Sequence, residues 1–255
     1  MRLHRFYIEQ KIEGVGEITL TAAELIHQLV NVFRFQVGDK VILFDGSGFE
    51  YECEISTLGK KNVSVKILMR KSPLGRPQDE AASVSLYLSL IKKSNFELAA
   101  EKCTEAGVAE IHPLISERSE KKDLNMERLN KIVKEASEQS GRVTLPKVFG
   151  VTDLETAVSQ AVTDGKRCVT FHTTTSAEHN RPPFNRPRHQ NDTPSSSDEG
   201  DSSKPTATFI GPEGGWSDSE MELFRKNDFE ILSLGQNILR AETAAIVAVW
   251  SQLNN

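Results

Sequence analysis

Apolar and polar residues alternate over most of the first third of the chain. Leu3 to Ile8 alternates, Val41-Ile42-Leu43-Phe44 runs into Asp45-Gly46-Ser47-Gly48, Phe49 to Ile55 returns, and Val63 to Met69 alternates again. A period of two is that of strands with one buried face, and the Asp-Gly-Ser-Gly stretch is a strong hairpin signal. One helix interrupts: Thr21 with Glu24 has the spacing of a capping box ahead of Leu25-Ile26-His27-Gln28-Leu29-Val30. Several short strands with one helix predict a small β-barrel over residues 1–72, and Lys71 to Pro77 reads as a linker by composition.

From residue 83 the rhythm becomes strand, helix, strand. Strands are predicted at Val84–Ile91, Val108–Ile115, Arg167–His172, Thr206–Ile210 and Glu230–Leu234. Between them lie helices opened by capping boxes at Ser94/Glu97, Thr152/Glu155 and Ser217/Glu220, and one capped by Asn125. Gly107 marks the end of the first of these helices. The last helix, Ala241 to Leu253, is apolar nearly all round, so it is buried in its own core or against a second subunit. Alternating βα units predict an α/β domain over residues 73–255, with a mostly parallel sheet covered on both faces. Residues 177–205 break the pattern; rich in Ser, Pro, Asn, Asp, His and Arg, they read as a disordered surface insertion.

Composition narrows the class. The formal net charge of -5 counts against nucleic-acid binding unless positive charge is local. Cys53, Cys103 and Cys168 lie far apart, odd in number and without metal-ligand spacing, which predicts reduced core thiols in a cytoplasmic protein and no metal. No apolar run approaches a membrane span, and the N-terminus shows no signal-peptide core.

The candidate chemistry sits in two glycine-marked loops near the C-terminus. One is Gly211-Pro212-Glu213-Gly214-Gly215-Trp216-Ser217, the other Leu234-Gly235-Gln236-Asn237-Ile238-Leu239-Arg240-Ala241-Glu242-Thr243. Each follows a predicted strand and precedes a helix, so each leaves free backbone N–H and C=O groups at the edge where open α/β sheets bind ligands. Neither the phosphate-loop pattern nor the dinucleotide fingerprint is present, and Glu213 disfavours a phosphate. Asn237-Ile238-Leu239 places apolar side chains in a connection that is ordinarily polar, a suitable wall for a flat ring. Plain strand-to-helix turns, with Arg240, Glu242 and Thr243 as a structural capping cluster, are the alternative.

These motifs resemble the RsmE-type family of ribosomal RNA uridine N3-methyltransferases, of the SPOUT superfamily. The two loops match its C-terminal motifs; Glu101 to Gly107 with Pro113 to Ser119, and Glu135 to Arg142, match two more; Arg5-Phe6-Tyr7 and His27 to Arg34 fit the N-terminus. Phe35 departs from the aliphatic residue the resemblance leads one to expect, and the insertion at 177–205 is longer than usual.

The resemblance implies an RNA-binding PUA-like β-barrel followed by an α/β domain with a C-terminal trefoil knot that binds S-adenosyl-L-methionine. On that basis His172, Gly211, Pro212, Glu213, Gly215, Leu234, Gly235, Asn237, Ile238, Leu239 and Thr243 are candidate cofactor-binding residues. Arg240 is the candidate catalytic cation, with Glu138 and Glu242 as candidate bases beside water. Arg2, Arg5, Arg34, Lys92, Lys93, Arg118 and Arg142 are candidate contacts to 16S ribosomal RNA. A homodimer through the knot region is implied, with helix 241–253 as its interface. A non-catalytic RNA-binding or ribosome-assembly protein with the same fold, or a nucleotide-dependent enzyme, would be the alternatives.

Overall fold

The computed structural model describes residues 3–14, 16–72, 83–119, 123–172 and 204–254. Arg2, most of the linker and nearly all of the 177–205 insertion fall outside the described residues. The chain forms two compact units, Met1–Pro77 with Ser137–Leu145, and Gln78–Ala136 with Pro146–Asn255. The 137–145 segment therefore groups with the N-terminal unit, whereas a division of the sequence at residue 72 would have left it with the other.

The first unit is a five-stranded sheet of β1 (Arg5–Tyr7), β2 (Glu17–Leu20), β3 (Lys40–Phe44), β4 (Glu50–Leu58) and β5 (Val63–Lys71), in the order β1-β3-β4-β5-β2. β1 runs parallel to β3 and the other pairs are antiparallel. Alternation does its work here: Tyr51, Cys53 and Ile55 of β4 and Val63, Val65 and Ile67 of β5 point into one core. Two register shifts between β4 and β5 curl the sheet. The pairing path is open, since β2 and β1 are not paired among the described residues. β2 escapes sequence reading because four residues flanked by Gly16 carry too short a pattern. The helix α1 (Ala23–His27) has Ala22 at its N-cap and no side-chain cap, so the expected Thr21/Glu24 box does not form. It runs on into a π-helical turn, Gln28–Val32.

The second unit is a parallel sheet of β6 (Val84–Ser89), β7 (Glu110–Ile115), β8 (Lys147–Val148), β9 (Thr152–Asp153), β10 (Arg167–Phe171), β11 (Thr206–Ile210) and β12 (Glu230–Leu232). Its order is β12-β10-β11-β6-β7-β8, with β9 also paired to β7. Helices α2 (Lys93–Ala106), α3 (Met126–Ser140) and α6 (Ala241–Leu253) share one hydrophobic cluster with the strands, and α4 (Leu154–Thr163) and α5 (Asp218–Lys226) share the other. β6 and β11 are buried at every position, as expected of central strands covered on both faces.

The caps show which local signals survive packing. Ser217 accepts from the Glu220 N–H while Glu220 accepts from the Ser217 N–H, a complete capping box. Asn125 accepts from the Arg128 N–H at 2.9 Å, and Gly107 ends α2 in the left-handed region at φ 115°. At α4 the cap is Asp153, one residue beyond the predicted Thr152. At α2 no side chain caps the first turn; Glu97 is drawn to Arg128 instead, at 2.7 Å.

Candidate functional site

Adjacent strands β12, β10 and β11 end at one edge of the second unit, and their C-terminal loops enclose a cavity of about 590 Å³. That volume is typical of small-molecule sites, and the strand ends of an open parallel sheet are where such sites form. Phe171 ends β10 and His172 follows it; Ile210 ends β11 and Gly211 to Trp216 follow it; Ser233 to Gly235 and Asn237 to Arg240 come from the loop after β12.

The first loop is held open by its glycines and clamped from behind. A Cβ on Gly211 would stand 3.2 Å from two indole carbons of Trp216, so only glycine lets the backbone lie against that ring. Gly215 sits at φ +68°, and its N–H closes a turn onto the Pro212 carbonyl at 2.8 Å. Trp216 is buried and packs edge-on to Phe224 at 4.9 Å; its Nε1 has no partner among the described residues. Arg118 donates to the carbonyls of Gly214 (2.8 Å) and Trp216 (3.2 Å). The Glu220 carboxylate accepts from the N–H groups of Glu117 and Ser217, both at 2.8 Å, which ties the 116–118 segment to the start of α5.

The second loop turns at Gly235, φ +119°, where the Ser233 hydroxyl donates to the Gly235 carbonyl. Beyond it Ile238 is 85% exposed, the most exposed large apolar side chain among the described residues, so its place is not explained by the core. Arg240 is exposed at the N-cap of α6, and no side chain caps this helix. Its first-turn N–H groups are accordingly unclaimed by capping and lie at the positive end of the helix dipole. His172 is held below its ordinary pKa, first by burial and then by Arg225, so its imidazole is neutral at pH 7.

The cavity gathers His172, Gly211, Pro212, Glu213, Gly215, Leu234, Gly235, Asn237, Ile238, Leu239 and Arg240 from the expected set. It also takes Arg118, placed by sequence among the RNA contacts. Thr243 is exposed in the first turn of α6 and does not line it. Glu242 does not line it either; it is buried, with Oε2 unpartnered among the described residues. No Arg240–Glu242–Thr243 capping cluster forms. Glu138 lies in the first unit, where its Oε1 accepts the Tyr7 N–H at 2.9 Å. Phe171, Ile210, Gly214, Trp216, Ser233, Ala241 and Ala244 were not anticipated; Gly214 and Trp216 stand inside the glycine motif, which was the available signal.

The expected RNA contacts divide. Arg34 is exposed, as are Lys92 and Lys93, which line a smaller recess of about 350 Å³ with Ser94, Glu97 and Arg128. Arg5 is engaged internally, paired with Glu50 and donating to the carbonyls of Gly141 and Arg142. Arg142 is half-buried, its Nε donating to the Thr144 carbonyl, and burial pushes its guanidinium down to about 10. Neither guanidinium is a solvated cation of the kind that meets phosphates.

Comparison with known proteins follows the two units. A family model described as an RNA methyltransferase domain matches residues 78–251, and one described as an RNA methyltransferase PUA domain matches residues 20–68. The Ribosomal RNA small subunit methyltransferase E of Rickettsia conorii is 30% identical over 250 residues, covering 98% of this chain and 94% of that protein. Its namesake in Synechocystis is 33% identical over 252 residues, 96% of this chain and 75% of that protein. A methyltransferase structure from Legionella pneumophila, in complex with bound SAM, superposes with a TM-score of 0.79 at 28% identity, covering 99% of this chain and 97% of that one.

Proposed function

Since the chain belongs to the RNA methyltransferase family, with the ribosomal RNA small subunit methyltransferases E among its relatives, we propose that it methylates N3 of a uridine in 16S ribosomal RNA, using S-adenosylmethionine. The observation that carries this reading is the meeting of the two glycine loops in one cavity at the ends of β10, β11 and β12. The residues present fit that cofactor. Ile238 and Leu239 supply an apolar wall for an adenine ring, and the uncapped N–H groups of α6 suit a carboxylate. A neutral His172 and the exposed Glu213 accommodate a sulfonium.

When bound, S-adenosylmethionine supplies the methyl group for an in-line displacement. The chain's own residues position and polarise. Arg118 holds the Gly214–Trp216 backbone in place through two carbonyls. Arg240, at the cavity edge, stabilises charge that develops on a uracil carbonyl oxygen as N3 loses its proton. The proton goes to water: Glu138 is committed to the Tyr7 N–H and Glu242 is buried outside the cavity lining.

In the same reading the second unit carries the trefoil knot of the SPOUT fold, and two copies associate through α6. The three free, buried cysteines suit a cytoplasmic setting.

Incubation of the full chain with S-adenosylmethionine and small-subunit ribosomal RNA, followed by nucleoside mass spectrometry, should yield N3-methyluridine. Methylation at another position, or none on either free or assembled RNA, overturns the reading. Arg240→Ala should lower kcat by roughly 10²- to 10³-fold, the usual cost of one charge-stabilising donor.

A further inference from the structure

The first unit carries an aromatic surface that the cavity does not use. β1 and the segment after the π-helical turn bring together His4, Phe6, Phe33 and Phe35. The His4 and Phe33 rings lie 4.4 Å apart, and Phe33 stacks on Phe35 at 5.7 Å and 19°. Phe6 is buried beneath, edge-on to both at 5.4 and 6.3 Å. His4 and Phe33 are exposed and Phe35 is half-buried, while Val32 and Val37 on either side are 59% and 62% exposed. Phe6 belongs to the core and Phe35 packs partly against it, whereas Phe33 turns an aromatic face to solvent.

Between the two stacked rings in sequence stands Arg34, exposed and in the left-handed region at φ 55°. The backbone is forced there by the wide turn, closed by Phe33 N–H to the Gln28 carbonyl (2.9 Å) and Phe35 N–H to the Leu29 carbonyl (3.0 Å). Glycine fits that position without steric cost, so an exposed arginine there is a local penalty that the fold does not require. Strained residues of this kind, and π-helical turns, cluster at functional sites.

Charge points to the occupant. An exposed cation, Arg34, stands between Phe33 and Phe35 in sequence, and the exposed His4 lies in the cluster itself; Arg5 is paired with Glu50, and the carboxylate nearest to Arg34 in sequence, Asp39, is engaged by the Gln36 N–H at 2.7 Å. Surface rings with a solvent-exposed arginine between them suit a polyanion that also offers flat faces. Duplex RNA hides its base faces, whereas unpaired RNA presents them. Resting on the ribosomal RNA reading above, we propose that His4, Phe33 and Phe35 form a stacking platform for unpaired bases of single-stranded RNA, with Arg34 meeting a flanking phosphate.

The test uses the full chain and a fluorescently labelled single-stranded RNA dodecamer of mixed sequence, with the same strand in duplex as control. Phe33→Leu/Phe35→Leu keeps the apolar volume and removes the ring faces. It should weaken single-strand binding by roughly ten- to a hundredfold, the range for loss of a base–aromatic stack, and abolish the preference over duplex. Arg34→Gly keeps the left-handed backbone and should lower the slope of log Kd against log salt by about 0.7, one phosphate's share on a single strand. Affinity for S-adenosylmethionine, read by calorimetry, should stay unchanged in both variants and so reports their folding. Unchanged single-strand affinity in the double leucine variant overturns the platform, as does a loss of self-association without loss of RNA binding. An inactive chain whose RNA affinity depends on Phe33 and Phe35 would sink the proposed reaction and keep the platform; an active chain whose affinity ignores them would do the reverse.

Discussion

At the scale of single residues, identity matters most where an atom has no room. Gly211 lies so close to the Trp216 indole that an added methyl meets ring carbons at 3.2 Å. The indole is held by Phe224 and cannot yield freely. Gly211→Ala should displace the loop and weaken S-adenosylmethionine binding by roughly tenfold, about 1.4 kcal/mol, measured by calorimetry; full affinity would show that the close approach is not needed. This glycine stands out in the chain by its motif, but the reason for it, a tryptophan five residues on that lies against it, exists only in three dimensions. Arg5 and Arg142 make the converse point. A guanidinium reads as solvated charge in sequence, and only the fold shows one paired with Glu50 and the other half-buried over Thr144.

At the scale of elements, local signals held where the tertiary surroundings agreed with them. Ser217/Glu220 closes its box because Glu220 also binds the Glu117 N–H, so packing and propensity favour one geometry. Ser94/Glu97 has the same spacing, yet Arg128 takes the carboxylate. Helix α6 shows what remains when a helix is apolar all round: Ala245, Ala248 and Val249 enter the core, while Trp250 stays 49% exposed. Leu98, on the neighbouring α2, is 42% exposed. If two chains pair through α6, light scattering should give twice the chain mass of 28.4 kDa. Trp250→Glu should return it to one, and a single chain mass for the unsubstituted protein removes the dimer.

At the scale of the whole molecule, stability should follow a half-buried charge cluster in the parallel sheet. Glu110 Oε2 accepts from Lys166 Nζ (2.6 Å), Ser85 Oγ (2.8 Å) and His112 Nε2 (3.1 Å). The His112 hydrogen bond, with Lys166 and Ser85, outweighs burial and holds the Glu110 carboxyl well below its usual range. Burial holds His112 below its ordinary value against the pull of Glu110. Its ring lies between Tyr87 and Phe149, 4.1 and 3.9 Å from their centroids. Both shifts act in one direction. Below about pH 6.5 the unfolded chain protonates this histidine before the folded one does, and below about 4.3 the same holds for the carboxylate. Stability is therefore full at neutral pH and is lost as pH falls, first through the histidine and then through the glutamate. Calorimetry should show Tm falling from pH 7 to about 3, with Glu110→Gln flattening the part below about pH 4.3; a Tm independent of pH would refute the assignment.

The sequence alone determined the order of the longer strands and helices, the alternating core of the first sheet and the glycine loops, because these are written in periodicity and in residues with special backbone freedom. Short strands such as β2, β8 and β9 lacked the length for a readable period. Only tertiary structure decided that residues 137–145 join the N-terminal unit, that Glu138 serves Tyr7, and that loops some twenty residues apart share one cavity. Those facts depend on which strands lie side by side, and long-range pairing leaves no local trace in the chain.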